Sequence, residues 1–276
     1  MATNSSDSGS PFCRIKRQFL AGGGALLGLS VVPWTVRRAW AARPFIPHVA
    51  LEDIEGSRRK QFSEDPETGA HTRYMEIAAN WQGGGVAHYH TFSEEVYVLS
   101  GDVTLNGRDY LVEGSYLYRP GGIVHGHQEG SIRGCRLILK FGGPMDSNYI
   151  DEPESNEEYV QVPSDDGRPH IVHLETPGME WQQHGDGQAR YGTKVLSEDR
   201  KTGASTMLIR FPAGWRGRLE LDSAATWEWF VIKGQAVLED GTTFETDSYS
   251  LRPVAGRRNA FVGAKAESEI LLWRDQ

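Results

Sequence analysis

Two stretches of this chain repeat one another, and that repeat restricts the fold more than any other feature of the sequence. Ser63-Glu64-Asp65, Thr68-Gly69-Ala70, Thr72 and Trp81 recur as Ser197-Glu198-Asp199, Thr202-Gly203-Ala204, Thr206 and Trp215, at a constant offset of 134. Ser115-Tyr116 and Arg119-Pro120 recur as Ser248-Tyr249 and Arg252-Pro253, at an offset of 133. The run Arg43-Pro44 to His48 echoes Arg168-Pro169 to His173. An offset held over so many positions, with one slip, marks a tandem duplication. Residues 151–167, which include Asp151-Glu152-Pro153-Glu154, read as a solvated acidic linker between the copies. The expected domains are 42–150 and 168–276.

Each copy reads as β. Short runs such as 95–99, 136–141, 230–232 and 270–273 are separated by Gly, Asp and Pro. No window carries a sustained 3.6-residue apolar period with helix caps. Leu137, Leu139 and Phe141 alternate with Arg136, Ile138 and Lys140, so one face is apolar and the other more polar. The 32 glycines and 13 prolines supply the turns that an all-β chain needs. The expectation is two small antiparallel barrels or jelly rolls in tandem.

The first 41 residues stand apart. Arg14, Lys16 and Arg17 precede an uncharged run from Phe19 to Trp34, 16 residues long and below the ~20 that span a bilayer. Ala39 and Ala41 supply small residues before a cleavage point at Ala42. Lys16-Arg17-Gln18-Phe19-Leu20 resembles the twin-arginine export signal, with Lys16 at the first arginine position. The expected location is periplasmic or secreted, with no stable membrane span after cleavage. Loss of the signal moves the net charge from −8 to −12 and leaves Cys135 as the single cysteine. One thiol makes no internal disulfide, and an acidic chain lacks the clustered basic surface of a nucleic-acid binder.

Residues with chemistry sit in the first copy. His88 and His90 are two apart, so on a strand both imidazoles project to one side. Glu94 and Glu95 follow, and His125 lies downstream after Gly114, Pro120 and Gly122. Three imidazoles and a carboxylate suit Fe, Mn, Ni, Cu or Zn and suit Ca poorly. No nucleophile elbow, phosphate loop or Cys-x-x-Cys pair accompanies them.

These spacings resemble both sequence motifs of the cupin superfamily. His88, His90, Glu94 and Gly101 match the first. Gly114, Pro120, Gly122 and His125 match the second, with Glu129 where the family usually has Asn. The run Tyr118-Arg119-Pro120 through His125 to Gly134-Cys135 resembles ChrR-type cupins, which include metal-binding anti-sigma modules and diketone-cleaving dioxygenases. The resemblance implies a bicupin with His88, His90, Glu94 and His125 as ligands of one divalent transition metal, iron foremost. Glu94 keeps the motif spacing to Gly101, and Glu95 fits a longer variant. His127 reads as either a neighbour of the site or a turn residue, and Cys135 as a small buried hydrophobe.

The second copy lacks the site. Leu221 or Asp222 stands opposite His88, Ser223 or Ala224 opposite His90, and Arg258 opposite His125. Glu228 survives opposite Glu94 or Glu95. This half instead carries Trp181, Trp215, Trp227, Trp229 and Trp273, which fill a barrel without metal or line a ligand pocket or interface. The resemblance implies a metal-dependent dioxygenase acting on a small oxygenated molecule. A lyase or isomerase uses the same ligands, and a binding or sensing module is the rival class. A bicupin already mimics a dimer of single cupins, so a monomer or low-order homo-oligomer is expected.

Overall fold

In a computed structural model, which describes residues 52–54, 56–83, 86–254 and 259–275, the duplication appears as one strand order used twice. The expected export signal, the Arg43–His48 copy of the repeat and Arg258 lie outside the described residues. In the first half, Glu94–Thr104 pairs with Cys135–Phe141, which pairs with His71–Ile77, which pairs with Ser57–Glu64. Its other edge takes Ser115–Arg119. In the second half, Thr226–Lys233 pairs with Ser268–Asp275, then Ser205–Phe211, then Tyr191–Glu198, and its other edge takes Tyr249–Arg252. Every one of these pairings is antiparallel. A second layer of short strands curls each half into a barrel: Trp81–Gln82 and Gly130–Ser131 in the first, Trp215–Leu221, Gln235–Leu238 and Asn259–Ala264 in the second. The chain is an all-β pair of tandem jelly rolls. No helix among the described residues is long and apolar enough to cross a membrane.

Three apolar clusters hold this arrangement. Val96, Val98, Leu117, Leu137, Leu139 and Phe141 fill the first barrel. Phe211, Trp215, Trp227, Trp229, Phe244 and Phe261 fill the second. A third cluster joins Tyr74, Tyr97, Tyr116 and Ile138 to Leu208, Phe230, Tyr249, Leu271 and Trp273, and lies between the barrels. The tryptophans therefore divide: three plug the second barrel, whereas Trp273 is buried between the barrels and Trp181 packs against that cluster.

The cluster between the barrels explains the alternation in 136–141. Its apolar face enters the first barrel, and its more polar face meets the second barrel rather than water. There Arg136 pairs with Asp247, Ile138 joins the central cluster, and Lys140 pairs with Glu228 and Asp275.

The same interface decides what Glu228 is. Glu94 is opposite Arg119 and Glu95 opposite Tyr118; Trp227 is opposite Arg252 and Glu228 opposite Leu251. Glu228 therefore corresponds to Glu95, and Trp227 stands where the first barrel has Glu94. The two corresponding glutamates make matching contacts. Glu95 accepts hydrogen bonds from Tyr116 (2.8 Å) and from Thr206 of the other barrel, and Glu228 accepts them from Tyr249 and from Thr72 of the other barrel, both at 2.6 Å. Arg168 supplies the cation to Glu95 at 2.7 Å, and Lys140 supplies it to Glu228. Each barrel thus offers one buried carboxylate to a threonine of its neighbour, which satisfies charges that burial alone would penalise.

The acidic segment after the first barrel is largely exposed, but part of it is laid against that barrel. Tyr159–Val160 pairs with Ile123–Val124 beside His125. Gln161 N and Val162 N donate to the carbonyl of Gly122, at 2.8 and 3.2 Å. Gly122 has φ +83°, and a Cβ there would come within 2.0 Å of the Val162 carbonyl oxygen. That motif glycine is required both for its backbone conformation and for this close approach.

Candidate metal centre

Three histidines converge at the mouth of the first barrel. His88–Tyr89 forms a two-residue strand paired with Asn148–Tyr149, and its backbone exchanges hydrogen bonds with His125 at 2.9 Å in both directions. The imidazole centroids lie 5.1 Å apart for His88–His90, 4.6 Å for His88–His125 and 5.2 Å for His90–His125. One nitrogen from each ring falls within 4.8 Å of the others. His90 and His125 are buried, and His88 is half-buried, so the group opens to solvent on the His88 side.

The backbone sets the tautomer of every ring. His88 Nδ1 donates to the Val86 carbonyl at 2.9 Å, His125 Nδ1 to the Ile123 carbonyl at 2.9 Å, and His90 Nδ1 to the Asp146 carbonyl. A carbonyl only accepts, so each Nδ1 carries a proton, and in a neutral ring the lone pair is then on Nε2. Metal-ligating histidines are oriented in this way. His125 is further kept neutral: burial, and then the charge of Arg119, lower its pKa to about 3. The donor set and its orientation fit a divalent transition metal.

Of the two candidate carboxylates, Glu94 stands beside this group and Glu95 does not. Glu94 Oε2 lies 3.3 Å from His125 Nε2 and accepts from Arg119 Nη1 at 2.8 Å. Burial opposes its ionisation, but Arg119, His125 and His90 outweigh it and lower its pKa to about 2. Glu95, one residue on, faces the other barrel. His127 is half-buried near Tyr159, with ring centroids 6.5 Å apart, and is not one of the three. Cys135 is buried in the barrel core, where burial pushes its thiol pKa up to about 12.

The supporting shell was not legible in the motifs. Arg119 donates Nε and Nη2 to Glu158 Oε1 at 2.9 and 2.6 Å, and Glu158 Oε2 meets His170 Nε2 at 2.8 Å. Glu158 comes from the acidic segment and His170 from the start of the second copy. The sole sequence signal was the recurrence of Arg119-Pro120 as Arg252-Pro253. In the second barrel Arg252 instead donates to the Leu221 carbonyl at 2.6 Å, and the interior it borders is aromatic.

The profile of a family described as a domain of unknown function, DUF4437, matches residues 48–254, about three-quarters of the chain. The chain belongs to the DUF4437 family. No curated protein matches the sequence. Among solved structures, this DUF4437 protein is similar to a candidate dioxygenase from Nostoc punctiforme, with a TM-score of 0.64 and 16% identity over 80% of this chain and 73% of that one. It is also similar to oxalate decarboxylase from Bacillus subtilis, at 0.57 and 14% over 85% and 77%. A further structure of that decarboxylase, described for its Mn(II) centres, matches at 0.52 and 14% over 79% and 72%. At these identities the likeness establishes the fold, which is the cupin fold.

Proposed function

We propose that this DUF4437 protein is a metal-dependent enzyme, an oxygenase that opens a C–C bond in a small oxygenated organic molecule. The observation that carries the reading is the set of three imidazoles, each with Nδ1–H anchored on a backbone carbonyl and one nitrogen of each within 4.8 Å of the others. His88, His90 and His125 would hold one divalent ion, with Glu94 as the fourth ligand. Iron held there would supply Lewis acidity to a chelating substrate and electrons to dioxygen. The Mn(II) centres of the decarboxylase support a redox-capable ion in this fold, and the candidate Nostoc dioxygenase is consistent with oxygen chemistry.

The chain's own residues prepare the site. Arg119, held by Glu158, keeps Glu94 ionised and oriented beside His125. The aromatic rings of Phe92 and Phe141 wall the inner side, with the His90 and Phe92 rings stacked at 5.1 Å. The barrel mouth excludes bulk water from this side and leaves the His88 side for substrate. Protein reconstituted anaerobically with Fe(II) should consume oxygen when offered small diketones or flavonols. Silence across these substrates with iron, manganese and nickel would leave a binding module instead.

The same reading extends to the ends of the chain. Residues 1–41 direct export, the mature protein is periplasmic or secreted, and the two barrels, 42–150 and 168–276, descend from one duplicated unit. A monomer or low-order homo-oligomer is expected, which light scattering checks.

A further inference from the structure

We propose that Glu129 is the substrate-facing carboxylate of this centre, and that it selects neutral hydroxylated or enolisable molecules over carboxylate anions. The inference rests on the metal-centre reading above and adds a substrate class to it. Glu129 occupies a place that two glycines leave open. A Cβ on Gly83 would lie 2.8 Å from Glu129 Cβ and 3.0 Å from its Oε2. A Cβ on Gly126 would lie 3.4 Å from Glu129 Oε1 and 2.7 Å from His88 Cε1. The carboxylate therefore sits next to the His88 ring, on the side where the centre opens.

Its partners distinguish it from four glutamates at the centre and between the barrels. Glu94, Glu95, Glu158 and Glu228 each meet an Arg or Lys at hydrogen-bond distance. Glu129 accepts no side-chain hydrogen bond from the described residues. The charged groups close enough to act on it are His88, Glu94 and Arg119, all members of the centre, and burial raises its pKa. Glu129 is half-buried and has no cation at hydrogen-bond distance, and ionisable groups perturbed by burial beside a cleft concentrate at functional sites.

The charge arrangement sets the selectivity. Arg119 is the cation that acts on Glu94, His125 and Glu129, and both Glu94 and Glu158 already pair with it. Apart from the metal ion itself, an incoming dicarboxylate would find both faces of Arg119 already paired and would meet Glu129. A neutral ligand with an O–H or an acidic C–H would instead find an acceptor in Glu129.

The test uses the full chain loaded with Co(II) at pH 8, azide as the anionic probe, imidazole as the neutral one, and the visible spectrum as readout. E129Q should retain Co(II) and bind azide at least tenfold more tightly than wild type, about 1.4 kcal/mol, with imidazole affinity unchanged. E129D, which keeps the charge, should bind azide as wild type does. Equal azide affinity in wild type and E129Q overturns the proposal, as does loss of Co(II) from E129Q, which would make Glu129 a ligand. An Fe(II) protein that never consumes oxygen sinks the oxygenase reading alone, because the azide comparison needs no turnover.

Discussion

The two barrels share one strand order and have opposite interiors. The first keeps a polar mouth of three imidazoles, Glu94 and Glu129 around an apolar base. In the second, Trp227 takes the position of Glu94, and Trp215, Trp229, Phe211, Phe244 and Phe261 occupy the interior. The Phe211 and Trp215 rings stack at 4.1 Å, and Trp229 meets Phe244 and Phe261 edge-on at 5.5 Å. The indole N–H groups of Trp215 and Trp229 are buried without a hydrogen-bond partner among the described residues. Packing has outweighed polar satisfaction there. A jelly roll can thus stabilise its interior with apolar volume or reserve it for polar ligands, and duplication let this chain do both.

That contrast can be broken by substitution, and the largest effect is expected on metal. His90→Ala should reduce bound iron or cobalt from about one ion per chain to near zero, read by elemental analysis. Trp229→Ala should leave metal content unchanged and cost about 3–5 kcal/mol of stability from the cavity it opens, read by denaturant unfolding. Metal loss in the tryptophan variant would show that the second barrel takes part in the site.

The interface between the barrels is sharpened by a double-mutant cycle. Lys140→Met alone should cost about 3–5 kcal/mol, because it leaves Glu228 buried without its cation. Lys140→Met combined with Glu228→Leu should cost clearly less than Lys140→Met alone. Equal losses would mean that Thr72 and Tyr249 already satisfy the carboxylate.

A further effect concerns acid. In the metal-free protein His125 has a pKa lowered to about 3, and Glu94 and Glu158 have values lowered to about 2. For all three groups the unfolded chain binds the proton first. Stability should therefore fall as pH drops from about 6.5, where unfolded histidine begins to protonate, and fall further below about 4.5 as unfolded glutamates do. The slope is about 1.4 kcal/mol per pH unit for each proton taken up. His125→Gln should reduce the upper part of this decline, to which His71 and His127 also contribute, and leave the lower part, as read by thermal unfolding across pH 3–8.

Local pattern was enough for several of these features. The offsets of 134 and 133 foretold one strand order used twice, and the His88–His90 spacing with Gly122 and His125 foretold which rings meet. Period-2 geometry and turn chemistry act over a few residues, so they are written in the chain where they operate. The choice between Glu94 and Glu95 needed the fold, because adjacent residues on a strand face opposite sides and only the packed barrels show which side holds the histidines. Likewise Arg136, Ile138 and Lys140 read as a more polar face, yet they meet a second barrel whose distance in sequence hides it. The acidic segment reads as solvated because its charges are local, but Glu158 is drawn inside by Arg119. Sequence alone thus indicated two β units and the three histidines that the fold brings together. Tertiary structure decided which carboxylates are locked in pairs, and left Glu129 without one, since pairing of buried charge depends on neighbours far along the chain.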